Sequence, residues 1–175
     1  MTLRLHTRVP FCTLAGVAVG VALLSVTWRS IGVPIVINPT ASEPVGFYRI
    51  VFHRVPDYQR GMTVVFPVPG PFESLVYGRG WLKAGVPLMK NIGALAGDQV
   101  CVREDHFEVN GKNLGPVSTV DRTGASLPHL RGCFQIADGY FFPMSRYHER
   151  SFDGRYIGAQ PLSAITGEAR PLWTF

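Results

Sequence analysis

From residue 31 onward, apolar and polar residues alternate in short runs that are separated by Gly, Pro, Asn and Asp. Runs of this length, rich in Val, Ile, Phe and Tyr and bounded by turn-forming residues, predict β-strands. The predicted strands cover residues 33–37, 46–53, 62–68, 86–93, 98–104, 106–110, 132–138, 139–144 and 155–158. We therefore expect a mainly β, mostly antiparallel domain over residues 31–175.

The segments between these runs predict turns, one helix and one long loop. Asn110-Gly111 follows an alternating run and Asp138-Gly139 lies between two apolar runs, and both dipeptides are typical of hairpins. Residues 71–83 can form a short helix, whose length two glycines near its end would limit. Residues 113–131 lack a clear periodicity and are predicted to be a loop.

An apolar run without charges precedes the β domain. It covers residues 9–28, and a run of about 20 residues is long enough to cross a hydrocarbon core as a helix. Two arginines within residues 1–8 favour a cytoplasmic N-terminus, so the β domain would lie on the other side of the membrane. A cleavable signal peptide is the alternative. The bulky residues Trp28 and Arg29 at the end of the apolar run nevertheless suit a transmembrane anchor better than a cleavage site.

Composition and charge are consistent with an anchored protein. The chain is 46% hydrophobic and only 17% charged, which is low for a fully soluble domain. Its net charge of +5 comes from 14 Arg and 3 Lys residues that are scattered rather than clustered. Because nucleic-acid binding requires a basic stripe or a known motif, we expect no nucleic-acid partner. Attraction to the anionic headgroups of a lipid bilayer explains the positive charge more simply.

Two of the three cysteines lie in the predicted exported domain. Cys12 belongs to the apolar run, whereas Cys101 and Cys133 would meet an oxidising compartment, where a disulfide can persist. The oxidising compartment and the even number of cysteines in the exported domain predict a Cys101–Cys133 disulfide. No Cys or His spacing of a zinc site is present, so we expect neither a metal nor a cofactor.

The sequence lacks the common motifs of serine hydrolases, zinc proteases and nucleotide-binding proteins. A different candidate base is Lys90, which lies in the apolar stretch 86–98. Burial lowers the pKa of a lysine, and the neutral amine can then take a proton from a serine hydroxyl. Taken alone, Lys90 is more simply explained as a solvent-facing strand residue, and Ser42 within 37–50 as a turn residue.

Four sequence blocks nevertheless resemble the signal peptidase I family of membrane-anchored serine–lysine peptidases. They occur in the family's order and are Thr40-Ala41-Ser42, 61-GMTVVF-66, 90-KNIGALAGDQV-100 and 151-SFDGRYIG-158. The string NPTASEPVGFY is similar to the conjugative-transfer (TraF) group, some of whose members cut and cyclise a pilin subunit. Asn91 stands where signal peptidases have Arg, and this departure is compatible with the TraF group.

The resemblance implies a role for each matching residue. Ser42 would be the nucleophile and Lys90 its general base. The oxyanion would be bound by the backbone N–H of Ser42 and by the hydroxyl of Thr40. The implied supporting residues are Ser151, which would orient the lysine, and the charged pair Asp153 and Arg155.

The resemblance also implies a place and a substrate. We expect a serine endopeptidase anchored in the bacterial inner membrane, with its catalytic domain in the periplasm, that processes and can cyclise a membrane-associated, pilin-like precursor peptide. In this family, strands such as 31–37 and 64–72 enter the outer leaflet, although these apolar runs could equally fill the β core. A general signal peptidase, a self-cleaving repressor-type protease and a non-catalytic assembly scaffold remain alternatives.

Overall fold

The computed structural model describes residues 34–52, 58–128 and 130–175 of the chain. Within these ranges the chain forms eleven β-strands, two α-helices and one turn of 3-10 helix at Leu162–Ala164. The strands are β1 (Ile35–Asn38), β2 (Gly46–Val51), β3 (Thr63–Phe66), β4 (Leu88–Leu95), β5 (Gln99–Val102), β6 (His106–Val109), β7 (Lys112–Pro116), β8 (Gly132–Gln135), β9 (Tyr140–Met144), β10 (Gln160–Pro161) and β11 (Gly167–Thr174). The helices are α1 (Gly70–Gly78) and α2 (Gly154–Ile157).

The strands form two antiparallel sheets. The larger sheet has seven strands in the order β1-β2-β11-β3-β4-β9-β10, and the smaller has four in the order β7-β6-β5-β8. Each of the described strand pairs is antiparallel. The prediction of a mainly β, antiparallel domain is therefore confirmed.

One predicted strand is a helix instead. Residues 155–158 were expected to be extended, but Gly154–Ile157 form α2. The side chain of Asp153 caps this helix by accepting a hydrogen bond from the Arg155 N–H, as N-cap residues do. A side chain at Gly154 would come within 2.5 Å of the Pro143 carbonyl oxygen, so this turn requires a glycine.

The two predicted hairpin turns have different outcomes. Asn110 and Gly111 both have positive φ angles, as a tight hairpin turn requires, and they join β6 to β7. This hairpin places β7 inside the segment that was predicted to be a loop. The Asp138-Gly139 turn is not a hairpin, because β8 pairs with β5 of the small sheet and β9 with β4 of the large one.

The apolar run 64–72 mainly fills the core. Val64, Phe66 and Val68 are buried and pack in one cluster with residues from β4 and α1. The run at the start of the described chain differs, because Ile35 and Ile37 are largely exposed. Both runs were predicted either to fill the core or to lie at the surface. The side chains of 64–72 mainly fill the core, whereas Ile35 and Ile37 lie at the surface.

The predicted disulfide lies within the described residues, and the predicted anchor does not. Cys101 on β5 and Cys133 on β8 lie opposite each other in the small sheet and form a disulfide. The predicted anchor over residues 9–28 lies outside the described residues. Within the described ranges, no helix has the length and apolar character needed to span a bilayer.

Candidate active site

The loop between β1 and β2 carries the predicted nucleophile, and Asn38 fixes its shape. The Asn38 side-chain amide donates to the carbonyl oxygens of Thr40, Glu43 and Pro44, at 3.0, 3.0 and 3.1 Å. Its side-chain oxygen accepts the Thr40 N–H at 3.2 Å. Asn38 is buried, and a buried side chain with several backbone partners holds a short loop in one conformation.

The hydroxyl of Ser42 is bonded within this loop. Thr40 Oγ1 donates to Asn38 Oδ1 at 2.8 Å and lies 3.2 Å from Ser42 Oγ. Because Thr40 gives its only hydroxyl proton to Asn38, the Ser42 hydroxyl is the donor in the second bond. Both predicted oxyanion residues are thus adjacent. Among the described residues, the backbone N–H of Ser42 donates to no acceptor. This N–H can therefore donate a hydrogen bond to an oxyanion.

Lys90 lies in the middle of β4 and is only 4% exposed. It lies on the same face of the strand as Leu88 and Ile92, which belong to the core, and it pairs across the ladder with Val64. Burial lowers the pKa of Lys90 from 10.5 to about 8, against the opposing effect of the negative charges of Asp153 and Glu43. The solvent-facing explanation of Lys90 is therefore wrong, and its amine is accessible in the neutral form near physiological pH.

Ser145, just after β9, connects the loop of Ser42 to the turn of Asp153. Its hydroxyl donates to the Ser42 carbonyl oxygen and accepts the N–H groups of Tyr147 and His148. Its own N–H donates to Asp153 Oδ2 at 3.0 Å. Ser145 is buried, so a single side chain ties the loop to the end of β9.

Asp153 and Arg155 form the predicted charged pair at this turn. The Arg155 Nε–H donates to Asp153 Oδ1 at 2.9 Å, and a terminal guanidinium N–H donates to Oδ2 at 2.9 Å. Arg155 also donates to the carbonyl oxygens of Pro116 and Ser151. Both charged side chains are almost fully buried, and such a bidentate pair is rigid. It holds the turn that faces Lys90.

Two expected contacts of the dyad are not formed within the described chain. The hydroxyl of Ser151 is buried without a hydrogen-bond partner there, so it does not bond Lys90 as the resemblance implied. The hydroxyl of Ser42 bonds Thr40 and not Lys90. Catalytic hydrogen bonds often tighten only when a substrate is bound. In this conformation, Ser42 and Lys90 are connected through their neighbours.

Glu43 is one of these neighbours. It directly follows Ser42 and is 1% exposed. Its Oε2 accepts the side-chain amide of Asn91 at 3.2 Å, and the same amide donates to Thr63 Oγ1 at 2.9 Å. Asn91 directly follows Lys90, so this bond joins the two predicted catalytic segments. Between β2 and β4 lie β11 and β3, so this contact joins two segments that are not neighbours in the sheet.

Three residues of the site were not found from the sequence. Asn38 had a usable signal, because Asn before Pro commonly starts a turn. Glu43 and Ser145 had none, because an acidic residue or a serine in a turn is usually exposed to solvent. No group of metal-binding side chains occurs in the described ranges.

The chain is similar in sequence to known proteins over most of its length. Residues 8–173 match the family model described as signal peptidase, peptidase S26. The chain is 31% identical over 147 residues to the conjugal transfer protein TraF of Agrobacterium fabrum, covering 79% of this chain and 82% of that protein. It is 32% identical over 174 residues to a plasmid transfer protein TraF of Escherichia coli, covering 92% and 95%.

A solved structure is also similar to the chain. The signal peptidase I of Enterococcus faecalis V583 is 21% identical and aligns with 65% of this chain and 97% of its own, with a TM-score of 0.40.

Proposed function

Because the chain belongs to the S26 family of signal peptidases, and within it to the TraF group, we propose that it is a membrane-anchored serine peptidase. In this proposal Ser42 and Lys90 process a pilin-like precursor of a conjugative transfer apparatus. The observation that carries the proposal is the burial of Lys90, whose pKa is about 8, on a strand bonded through Asn91 to the residue after Ser42.

The proposed reaction is acyl transfer from a peptide bond. Neutral Lys90 takes the proton of the Ser42 hydroxyl, and Ser42 Oγ attacks the scissile carbonyl carbon. The resulting ammonium then gives its proton to the leaving amine. To reach Lys90, the Ser42 hydroxyl has to release its bond to Thr40. In this proposal, substrate binding breaks the Ser42–Thr40 bond, because the substrate carbonyl oxygen then forms a hydrogen bond with the Thr40 hydroxyl.

Oxyanion stabilisation depends on the same exchange. Thr40 now donates to Asn38 Oδ1, and rotation of its hydroxyl turns this proton towards the oxyanion. The backbone N–H of Ser42 supplies the second donor. Donors that are fixed in place before the reaction stabilise developing negative charge most effectively, and the contacts of Asn38 and Ser145 fix this loop.

The fate of the acyl-enzyme decides the product. Attack by water releases a linear peptide and regenerates Ser42. Attack by the precursor's own N-terminal amine forms a new peptide bond instead and releases a cyclic product. Cyclisation requires that the amine is held close to the ester, where its effective concentration exceeds that of water.

An exposed apolar surface supports action at a membrane. We name the aromatic face after Ile37, Phe47, Trp173 and Phe175, which lie on β1, β2 and the end of the chain. Ile37, Phe47 and Trp173 are neighbours across the ladder, and the three aromatic rings pack with centroids 6.0–6.4 Å apart. Trp173 is 68% exposed and Phe175 73%. Exposed aromatic clusters of this kind suit a lipid interface.

The aromatic face adjoins the candidate site. The N–H of Phe175 donates to the carbonyl oxygen of Val45 in the loop that carries Ser42. Partial insertion of this face into the periplasmic leaflet would hold Ser42 close to a precursor that is still in the membrane. The lipid bilayer is thus a proposed partner, together with the precursor peptide.

The test uses the full chain in proteoliposomes with a conjugative pilin precursor, and mass spectrometry of the products. Wild-type enzyme should remove a terminal segment, and Ser42→Ala and Lys90→Ala should each abolish this removal. Lys83→Ala is the matched control, because Lys83 is exposed, and it should retain wild-type activity. A product lighter than the linear peptide by one water molecule indicates cyclisation.

Three results would reject the proposal. Substantial processing by folded Lys90→Ala enzyme contradicts the dyad. Processing of a secretory preprotein but not of the pilin precursor would instead indicate a general signal peptidase. If neither substrate is cut and a serine-acylating reagent does not label Ser42, the protein is a non-catalytic scaffold.

A further inference from the structure

Glu43 is a buried carboxyl that the reaction described above does not use. One of its oxygens accepts the Asn91 amide at 3.2 Å. The other, Oε1, is buried and has no hydrogen-bond partner within the described chain. A buried carboxylate oxygen without a hydrogen-bond partner raises the free energy of the folded state, so such an oxygen is rare unless it has a function. The charged and titratable groups that act on it are Lys90, Arg146 and Tyr48.

The proposed reaction creates a charge next to Glu43. When Lys90 takes the proton of Ser42, a neutral amine becomes a buried ammonium, and a buried ammonium needs an opposite charge. Asp153 and Glu43 are the carboxyls that act on Lys90, together with the positive charge of Arg155. Both oxygens of Asp153 already accept hydrogen bonds from Arg155.

The two carboxyls are therefore not equivalent. The negative charge of Asp153 is balanced by the guanidinium that it binds, whereas Glu43 is bound by the uncharged amide of Asn91 and keeps one oxygen free. Arg146, the cation that acts on Glu43 besides Lys90, is exposed to solvent, and its charge is therefore screened. Asp153 acts on Lys90 more strongly than Glu43 does, but Glu43 is the carboxyl near Lys90 whose charge no bound guanidinium balances.

We propose that Glu43 is a positioning residue of this peptidase, held by Asn91, whose negative charge balances the Lys90 ammonium that forms when Ser42 loses its proton. This inference rests on the proposed function. It also gives a role to Asn91, which departs from the arginine of signal peptidases: an uncharged amide holds the carboxylate without neutralising it.

The proposal predicts how Lys90 titrates. A negative charge on Glu43 favours the protonated amine and raises the pKa of Lys90, in the same direction as Asp153 and opposite to Arg155. Burial raises the pKa of Glu43 itself to about 7, so this carboxyl is ionised above neutral pH, where the amine is active. Removing the charge should therefore lower the pKa of Lys90 and make it a weaker base.

The experiment measures Lys90 directly in the full chain in detergent micelles. With only three lysines in the sequence, ¹³C-labelled lysine gives few NMR signals, and Lys83 and Lys112, both exposed, serve as internal references. In Glu43→Gln, which preserves the shape and the acceptor for Asn91, the pKa of Lys90 should fall by roughly one unit. Glu108→Gln, in the other sheet, is the matched control and should leave it unchanged.

The second readout is the pH profile of precursor cleavage. In Glu43→Gln the rising limb should move to lower pH by the same amount as the NMR titration. The rate at its alkaline plateau should fall by up to about 10-fold, because a weaker base removes the serine proton less well. A merely structural role would lower the rate without moving the limb. Glu43→Leu, which leaves no buried polar atom at this position, repeats both measurements if Glu43→Gln does not fold.

The outcomes separate this inference from the proposed function. An unchanged Lys90 titration in the Glu43 variants overturns the inference, as does a shifted titration with an unshifted limb. Processing by Ser42→Ala enzyme, or no processing by wild-type enzyme, overturns the proposed function regardless of the NMR result. A shift of both the titration and the limb supports the inference.

Discussion

Replacing Lys90 by methionine should stabilise the folded protein while abolishing the proposed activity. The side chain is 4% exposed, and its pKa falls from 10.5 to about 8 on folding. A difference of 2.5 pKa units corresponds to about 3 kcal/mol. This is the free energy by which the charged lysine destabilises the native state, and methionine has a similar length without the charge. We therefore expect the free energy of unfolding to rise by about 3 kcal/mol at pH 7.

The pH dependence of this gain distinguishes charge from packing. Below pH 8 the lysine is protonated in both the folded and the unfolded chain, so its full cost is present. Between about pH 8 and 10.5 the folded protein releases the proton while the unfolded chain keeps it, and the stability of the wild type rises with pH. Above this range both states are neutral. The advantage of Lys90→Met should therefore shrink from about 3 kcal/mol towards zero over this interval.

The assay is urea unfolding of the full chain in detergent micelles, followed by tryptophan fluorescence, at intervals from pH 7 to 10.5. The difference between Lys90→Met and wild type is compared at each pH, so groups that titrate in both proteins cancel. Lys83→Met, at an exposed position, should show no such trend. If the difference in the free energy of unfolding is constant with pH, or has the opposite sign at pH 7, the charged form of Lys90 does not destabilise the native state and the reasoning is refuted.

Two further predictions concern the loop and the small sheet. Thr40→Val removes a proposed oxyanion donor and should lower kcat/KM by roughly 100-fold, whereas Thr40→Ser should retain most of it; equal activity of both variants would exclude this role for Thr40. Replacing Cys101 and Cys133 by serine opens a link across 32 residues and should cost about 3–4 kcal/mol of stability in urea unfolding; an unchanged unfolding midpoint would show that the link contributes nothing.

Much of the fold could be predicted because strand patterns and turn dipeptides are local signals. The strands from β1 to β6, and also β8 and β9, overlap predicted runs. β11 was missed because GEARPLWT shows no alternation of apolar and polar residues. It forms a strand because it lies between β2 and β3 and pairs with both. Such pairing is a property of the tertiary structure and leaves little trace in the strand's own sequence.

For the helix α2, the local sequence signal was present but predicted the wrong element. Tyr and Ile in 155-RYIG-158 favour a strand, but the local polar contacts of Asp153 decide the backbone. Its carboxylate caps the helix and also binds the Arg155 side chain. A run of four residues is too short for its intrinsic preference to outweigh two such contacts. The family resemblance predicted the charged pair of Asp153 and Arg155, which the structure contains, while the strand assignment was wrong.

Some residues of the candidate site could be predicted from the sequence and others could not. Ser42 and Lys90 could be proposed from the sequence because their types carry chemistry and their blocks resemble a known family, and the match to the S26 family confirms that resemblance. Glu43 could not, because its significance depends entirely on burial. A glutamate between a serine and a proline is ordinarily a solvated turn residue, and here it is buried where the loop contacts β4. The proposed counter-charge of the base is therefore adjacent to the nucleophile in sequence, yet its proposed role follows from a contact with Asn91, 48 residues away.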